Sequence, residues 1–115
     1  FMEIKQLEYF RAIVDAGTIS GAARELHMTQ PPLSYQIKML EEELQVPLFV
    51  RGHKKITLTE AGKTLYEQAG KLLILTDLTK REVIKSSQAW YDSFHSIHDD
   101  GLSDALCNAI STDSF

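Results

Sequence analysis

Apolar residues recur along this chain at helical spacing, with one alternating stretch between them. Ile4, Leu7, Phe10, Ile13 and Val14 fall on a single stripe, since residues three and four apart share a helix face. They predict a packing helix over Glu3 to Ala16 that ends at Gly17, a residue type that closes helices in the left-handed conformation. Tyr9 and Arg11 on this segment read as an apolar-edge tyrosine and a solvated arginine. Ile19, Ala22, Ala23 and Leu26 predict a short second helix capped by Thr18, with Gly21, Ala22 and Ala23 small enough to admit a neighbouring helix. Leu33, Ile37, Leu40 and Leu44 predict a third, reached through a turn at His27 and Met28. Thr29 occupies its N-cap, and Pro31 and Pro32 lie in its first turn, where a missing N–H costs little. Short helices joined by a tight turn, each with one buried face, form a helix-turn-helix.

The period then changes. Val46, Leu48 and Val50 alternate, Arg51, Gly52, His53, Lys54 and Lys55 intervene, and Ile56 and Leu58 resume the alternation, which predicts a two-stranded wing. Thr57 and Glu60 stand at capping-box spacing and predict the start of a helix running without interior proline to at least Lys85. Ala61, Leu65, Ala69, Leu72, Thr76, Thr79 and Val83 form one seam along it, while Leu73, Ile74, Leu75 and Leu78 spread apolar surface to other sides. So wide a coat exceeds what a small domain covers, so burial against a second copy is expected, through Leu65, Ala69, Leu72, Leu73, Leu75, Thr76, Thr79 and Val83, with a helix folded back on its own domain as the alternative. Beyond it, Ala89, Trp90, Phe94 and Ile97 predict a further helix, Gly101 a break, and Leu102, Ala105, Leu106, Ala109 and Ile110 a last short one. The fold class is therefore mainly α. A winged helix-turn-helix, with a three-helix core and a β-hairpin wing, spans residues 2–58, a dimerisation helix 59–87 and an acidic, aromatic tail 88–115.

Composition narrows the function. A chain of 115 residues suffices for one modest core and is too short for a catalytic domain with a deep cleft, so no enzymatic activity is expected. The lone Cys107 forms no internal disulfide and fits a reducing compartment. No run suits a bilayer span or a signal peptide, and Met2 is taken as the natural start, so a cytoplasmic location is expected. The formal charge of −4 misleads, because all 12 Lys and Arg lie at or before Lys85, against 11 Asp and Glu there, whereas five Asp and no cation follow. The acidity belongs to the tail.

With Leu33, Ile37, Leu40 and Leu44 inward, about 100° per residue turns Pro31, Ser34, Tyr35 and Lys38 outward and leaves Gln30 at the exposed first turn. These types suit a DNA groove. Glutamine pairs with adenine, serine bonds a base edge or a phosphate, lysine reaches guanine or phosphate, and proline or tyrosine packs on a thymine methyl or the backbone. An ordinary solvated face has the same composition. Glu41, Glu42 and Glu43 at the far end repel phosphates, so only the N-terminal half is expected to enter the groove. Arg51, Lys54 and Lys55 at the wing tip, which elsewhere would be a solvated loop, are well placed beside a helix-turn-helix to grip a phosphate or enter a minor groove, and helix N-termini would also meet phosphates.

From Leu7 to Arg51 the run LEYFRAIVDAGTISGAARELHMTQPPLSYQIKMLEEELQVPLFVR, followed by LTEAG from Leu58 to Gly62, resembles the N-terminal DNA-binding domain and linker helix of LysR-type transcriptional regulators. The resemblance reaches about Lys85. It implies a bacterial repressor or activator whose linker helices pair antiparallel in a homodimer that reads an interrupted inverted repeat in double-stranded DNA. It also implies DNA contacts at Thr29, Gln30, Pro31, Ser34, Tyr35, Lys38 and Arg51, with no cofactor. Many members carry arginine where this chain has Tyr35, and a tyrosine offers one hydroxyl and a ring in place of a bidentate fork. Family members continue into an effector-binding domain. The residues after Lys85 are too few for it and lack its opening strand pattern, so no inducer is carried over. Other expectations are an interaction protein that pairs with full-length relatives through its linker helix, or docks a protein by its aromatic tail, without reading DNA itself, and a small-molecule or metal-binding module using His95, His98, Asp99 and Asp100. For the last, a solvated acidic turn is the simpler account.

Overall fold

The computed structural model describes residues 1–52 and 54–97. Helix α1 spans Ile4–Ala16, α2 Ile19–Glu25, α3 Gln30–Leu44 and α4 Glu60–Ile97. The expected break at Gly101, the last short helix, Cys107, His98, Asp99 and Asp100 lie outside the described residues.

Each boundary has a local cause. Gly17 closes α1 at φ 81°, a left-handed conformation that a Cβ would strain. Its carbonyl then accepts the Ile56 N–H at 3.0 Å, tying the return arm of the wing to the end of α1. Thr18 caps α2 by accepting the Gly21 N–H at 3.0 Å, as its position predicts. Thr29 occupies the N-cap of α3 but makes no side-chain cap bond. A capping hydroxyl accepts from the second or third helical N–H, and here those positions are Pro31 and Pro32, which have none. Helix α4 is capped by Thr59, whose Oγ1 accepts the Gly62 N–H at 3.0 Å and donates to the Pro47 carbonyl at 2.7 Å. The Thr57–Glu60 spacing is not used, because Thr57 turns its hydroxyl to the Lys55 carbonyl instead. Gly62 is required by packing, since a Cβ there would run into the Leu48 carbonyl oxygen.

The described chain divides into two units, the first Phe1–Leu75 and the second beginning at Thr76. In the first, Phe10, Ile13, Ala22, Ala23, Leu33, Ile37, Leu40, Leu48 and Phe49 form the core. The rings of Phe10 and Phe49 meet at 5.4 Å between centroids. Leu44, expected to face inward, is exposed at the last turn of α3, where it lines an open groove with Leu48, Ala61 and Leu65. The wing also departs from the alternation. Among the described residues it has a single antiparallel bridge, Phe49 to Leu58, flanked by Val50 N–H to Thr57 O at 2.8 Å and Thr59 N–H to Leu48 O at 3.0 Å. With so little ladder the pleat does not set the burial, and consecutive Leu48 and Phe49 both turn inward while Val50 faces out.

In the second unit α4 continues to Ile97 without interruption at Ser86, where the composition changes. Trp90 and Phe94 stack at 5.4 Å and Tyr91 and His95 at 5.5 Å, each pair one helical turn apart.

Candidate nucleic-acid interface

Helix α3 presents its exposed side at its N-terminal half. Leu33, Ile37 and Leu40 are buried, and the opposite side shows Gln30, Pro31, Ser34, Tyr35 and Lys38 to solvent, with Thr29 at the entrance. Tyr35 is 57% exposed, a large ring that the domain does not use in its own packing. No hydrogen bond or ion pair among the described residues engages the side chains of Gln30, Ser34, Tyr35 or Lys38. The helix end itself contributes less than expected. Anion binding at an N-terminus uses the free first-turn N–H groups, and Pro31 and Pro32 remove two of them.

Behind that face, Gln6 of α1 holds α3 in place. It is buried, donates to Gln36 Oε1 at 3.3 Å, and accepts the Glu3 N–H at 3.1 Å, so a polar group inside the domain keeps its partners.

The wing cations Arg51, Lys54 and Lys55 are all exposed, and His53 between them lies outside the described residues. Arg51 is not independent of α3. Its Nη2 lies 3.0 Å from Glu41 Oε1, and Glu41 Oε2 accepts the Leu48 N–H at 2.7 Å. Glu41 was expected among the carboxylates that repel phosphate, but its side chain is 11% exposed and both oxygens are committed. The signal for this was available, because Glu41 follows Ile37 by four residues and so lies about 40° from it, on the inward side of the helix. Glu42 and Glu43 do face outward and keep the far end of α3 acidic.

Arg11 also departs from its expected solvated state. Its Nη1 donates to the Tyr66 carbonyl at 2.7 Å and its guanidinium carbon lies 4.1 Å from the centroid of the Tyr66 ring. The Tyr66 hydroxyl donates to Asp15 Oδ1 at 2.5 Å. That bond raises the Tyr66 pKa above its ordinary value, with burial adding to it and the Arg11 charge opposing it. Thus α1 grips the first turns of α4 from two residues one turn apart.

Of the residues expected at a dimer face, Ala69 is fully buried within its own chain, and Leu65 and Leu73 are half-buried, Leu65 against the core. Ala69 is therefore withdrawn from that face. The first turns of α4 fold back on their own domain, and this consumes the seam that periodicity alone left open. Leu72, Leu75, Thr76, Thr79 and Val83 are exposed, as are Ile74, Leu78 and Ile84. Among the described residues no group of three or more His, Cys, Asp or Glu could hold a metal, and no helix is long and apolar enough to cross a membrane.

A three-helix core with an outward-facing helix and a basic hairpin tied to its far end defines a winged helix-turn-helix. The chain belongs to the lysR family of bacterial regulatory helix-turn-helix proteins, whose family model matches residues 4–63. It is similar to the HTH-type transcriptional regulator ClcR of Pseudomonas putida, at 47% identity over 79 residues, covering 69% of this chain and 27% of that protein. It is similar also to BudR of Klebsiella aerogenes, at 49% identity over 76 residues, covering 66% of this chain and 53% of that protein. The chain thus spans about a quarter to a half of the length of these relatives. Among solved structures it resembles the CbnR_DBD–DNA complex, with a TM-score of 0.71 at 39% identity over 74% of this chain and 98% of that one. The BenM_DBD/benA site 1 DNA complex matches with a TM-score of 0.71 at 39% identity over 73% and 94%.

Proposed function

We propose that this chain is a sequence-specific DNA-binding module of a transcriptional regulator, acting in the cytoplasm as a homodimer on an interrupted inverted repeat, without an enzymatic step or a cofactor. The observation that carries this is the outward half of α3, where Gln30, Ser34, Tyr35 and Lys38 stand exposed and unengaged at the end away from Glu42 and Glu43. The DNA-bound state of similar domains supports the same reading.

On this reading Gln30, Ser34 and Tyr35 meet base edges, and Pro31 packs on a thymine methyl or the sugar–phosphate backbone. Thr29 is free to bond a phosphate, because the prolines leave it nothing to cap. Lys38, Arg51, Lys54 and Lys55 meet phosphates, and each neutralised phosphate releases a counterion. The exposed stripe of α4, Leu72, Leu75, Thr76, Thr79 and Val83 with Leu78, meets the same stripe of a second copy. The corresponding helix of a longer relative would fit that stripe equally, giving mixed dimers.

Binding-site selection from random duplexes, followed by gel shift and a solution mass, tests the proposal. The expected result is a pair of half-sites related by inversion across a spacer, bound by two copies. Recovery of unrelated sequences would refute base reading, and a single copy on an isolated half-site would refute the dimer.

A further inference from the structure

We infer that Glu41 is a positioning residue for DNA binding, holding Arg51 and the root of the wing at a fixed offset from α3 so that helix and wing meet one duplex in register. The inference rests on the DNA-binding reading above and assigns a role to a residue whose charge alone would oppose it.

Three observations meet at this carboxylate. It is nearly buried, with a side-chain exposure of 11%, whereas Arg51 is 78% exposed. Its Oε2 accepts the Leu48 N–H at 2.7 Å, which fixes where the chain leaves the turn after α3. Its Oε1 holds Arg51 Nη2 at 3.0 Å, using one donor of a guanidinium that has five. The other donors of Arg51 remain directed to solvent, available to a phosphate. Gln45, left-handed at φ 57°, turns the chain sharply between these points, so a single side chain bridges the end of the helix, the turn and the wing. An arginine on an unsupported loop would lose rotamer and loop freedom on meeting DNA, and a guanidinium already held loses less.

The sign of the expected effect separates this role from bulk electrostatics. Removing a carboxylate near a polyanion strengthens binding by charge alone, whereas removing a positioning carboxylate weakens it. Glu41→Gln keeps an acceptor for the Leu48 N–H and deletes only the charge. With the full chain and the best duplex returned by selection, Glu41→Gln is expected to bind about threefold more weakly, within the range of an exposed ion pair. Arg51→Ala should lower the salt slope of binding by about one unit. In the Arg51→Ala background, Glu41→Gln should bring no further loss. Binding by Glu41→Gln as tight as the parent's, or tighter, would overturn the inference. A loss that persists without Arg51 would do the same by showing a merely structural role, and thermal melting of each variant checks that the fold is intact. A parent chain that binds no duplex selectively would overturn the DNA-binding reading and this inference with it, and is seen before any variant is made.

Discussion

Helices α3 and α4 both carry apolar stripes at helical spacing, yet they leave opposite surfaces exposed. On α3 the apolar side is consumed by the domain core and what remains outside is a glutamine, a serine, a tyrosine and a lysine. On α4 the first turns bury Ala69 and half-bury Leu65, after which leucine, isoleucine and valine remain in solvent: Ile74 is 63% exposed and Val83 64%. An amphipathic pattern says that a face needs covering. Whether the covering comes from the same chain depends on how far each helix runs past its domain, and on the proposed reading the two exposed surfaces take partners of different chemistry: a polar groove for α3, an apolar helix for α4.

The contrast can be broken at its strongest point by removing an apolar group that is covered within the chain. Phe10→Ala deletes a fully buried ring packed on Phe49 and should cost about 3–5 kcal/mol in chemical denaturation, at any protein concentration. Leu78→Asp should leave the winged domain's own melting unchanged and weaken self-association by roughly tenfold or more in sedimentation velocity. A leucine is worth about 1.5–3 kcal/mol when buried, and in a symmetric pair it counts on both copies. An unchanged association constant would remove the second copy as the covering partner.

On α3 the effects are smaller and read in DNA binding. Gln30→Ala should lose about 1–3 kcal/mol of discrimination at one base position, and an equal loss on every duplex would refute a base contact. Lys54→Ala should weaken all duplexes alike and flatten the salt dependence by about one unit. The mildest test concerns the clamp between α1 and α4. Because the bond to Asp15 raises the folded pKa of Tyr66 above its ordinary 10.0, the stabilisation it gives is complete below that pH and fades as pH rises through the folded value. Tyr66→Phe should remove that alkaline dependence, so the parent should melt above the variant below pH 10 and the two should converge as pH rises through the folded value.

Most of the domain was legible because its signals are local. Gly17 closing α1, Thr18 capping α2 and the inward set Leu33, Ile37 and Leu40 each follow from a few neighbouring residues. Two of the surprises are places where a segment outside the helix supplied the partner. Arg11 read as solvated until Tyr66 came to it from α4, and Glu41 read as a repelling charge until the wing brought Leu48 and Arg51 to it. The wing read as two regular strands, because alternation marks a pleat only where a ladder enforces it, and one bridge does not.

The amino-acid order by itself determined where the helices run, which way α3 faces and the residue types it leaves in solvent, since period and capping act within a turn or two. Tertiary structure alone decided the fates of Ala69 and Arg11, and which partners the inward-turned Glu41 met. A side chain's role as core, clamp or open surface depends on what packs against it from far along the chain, and helical periodicity carries no information about that.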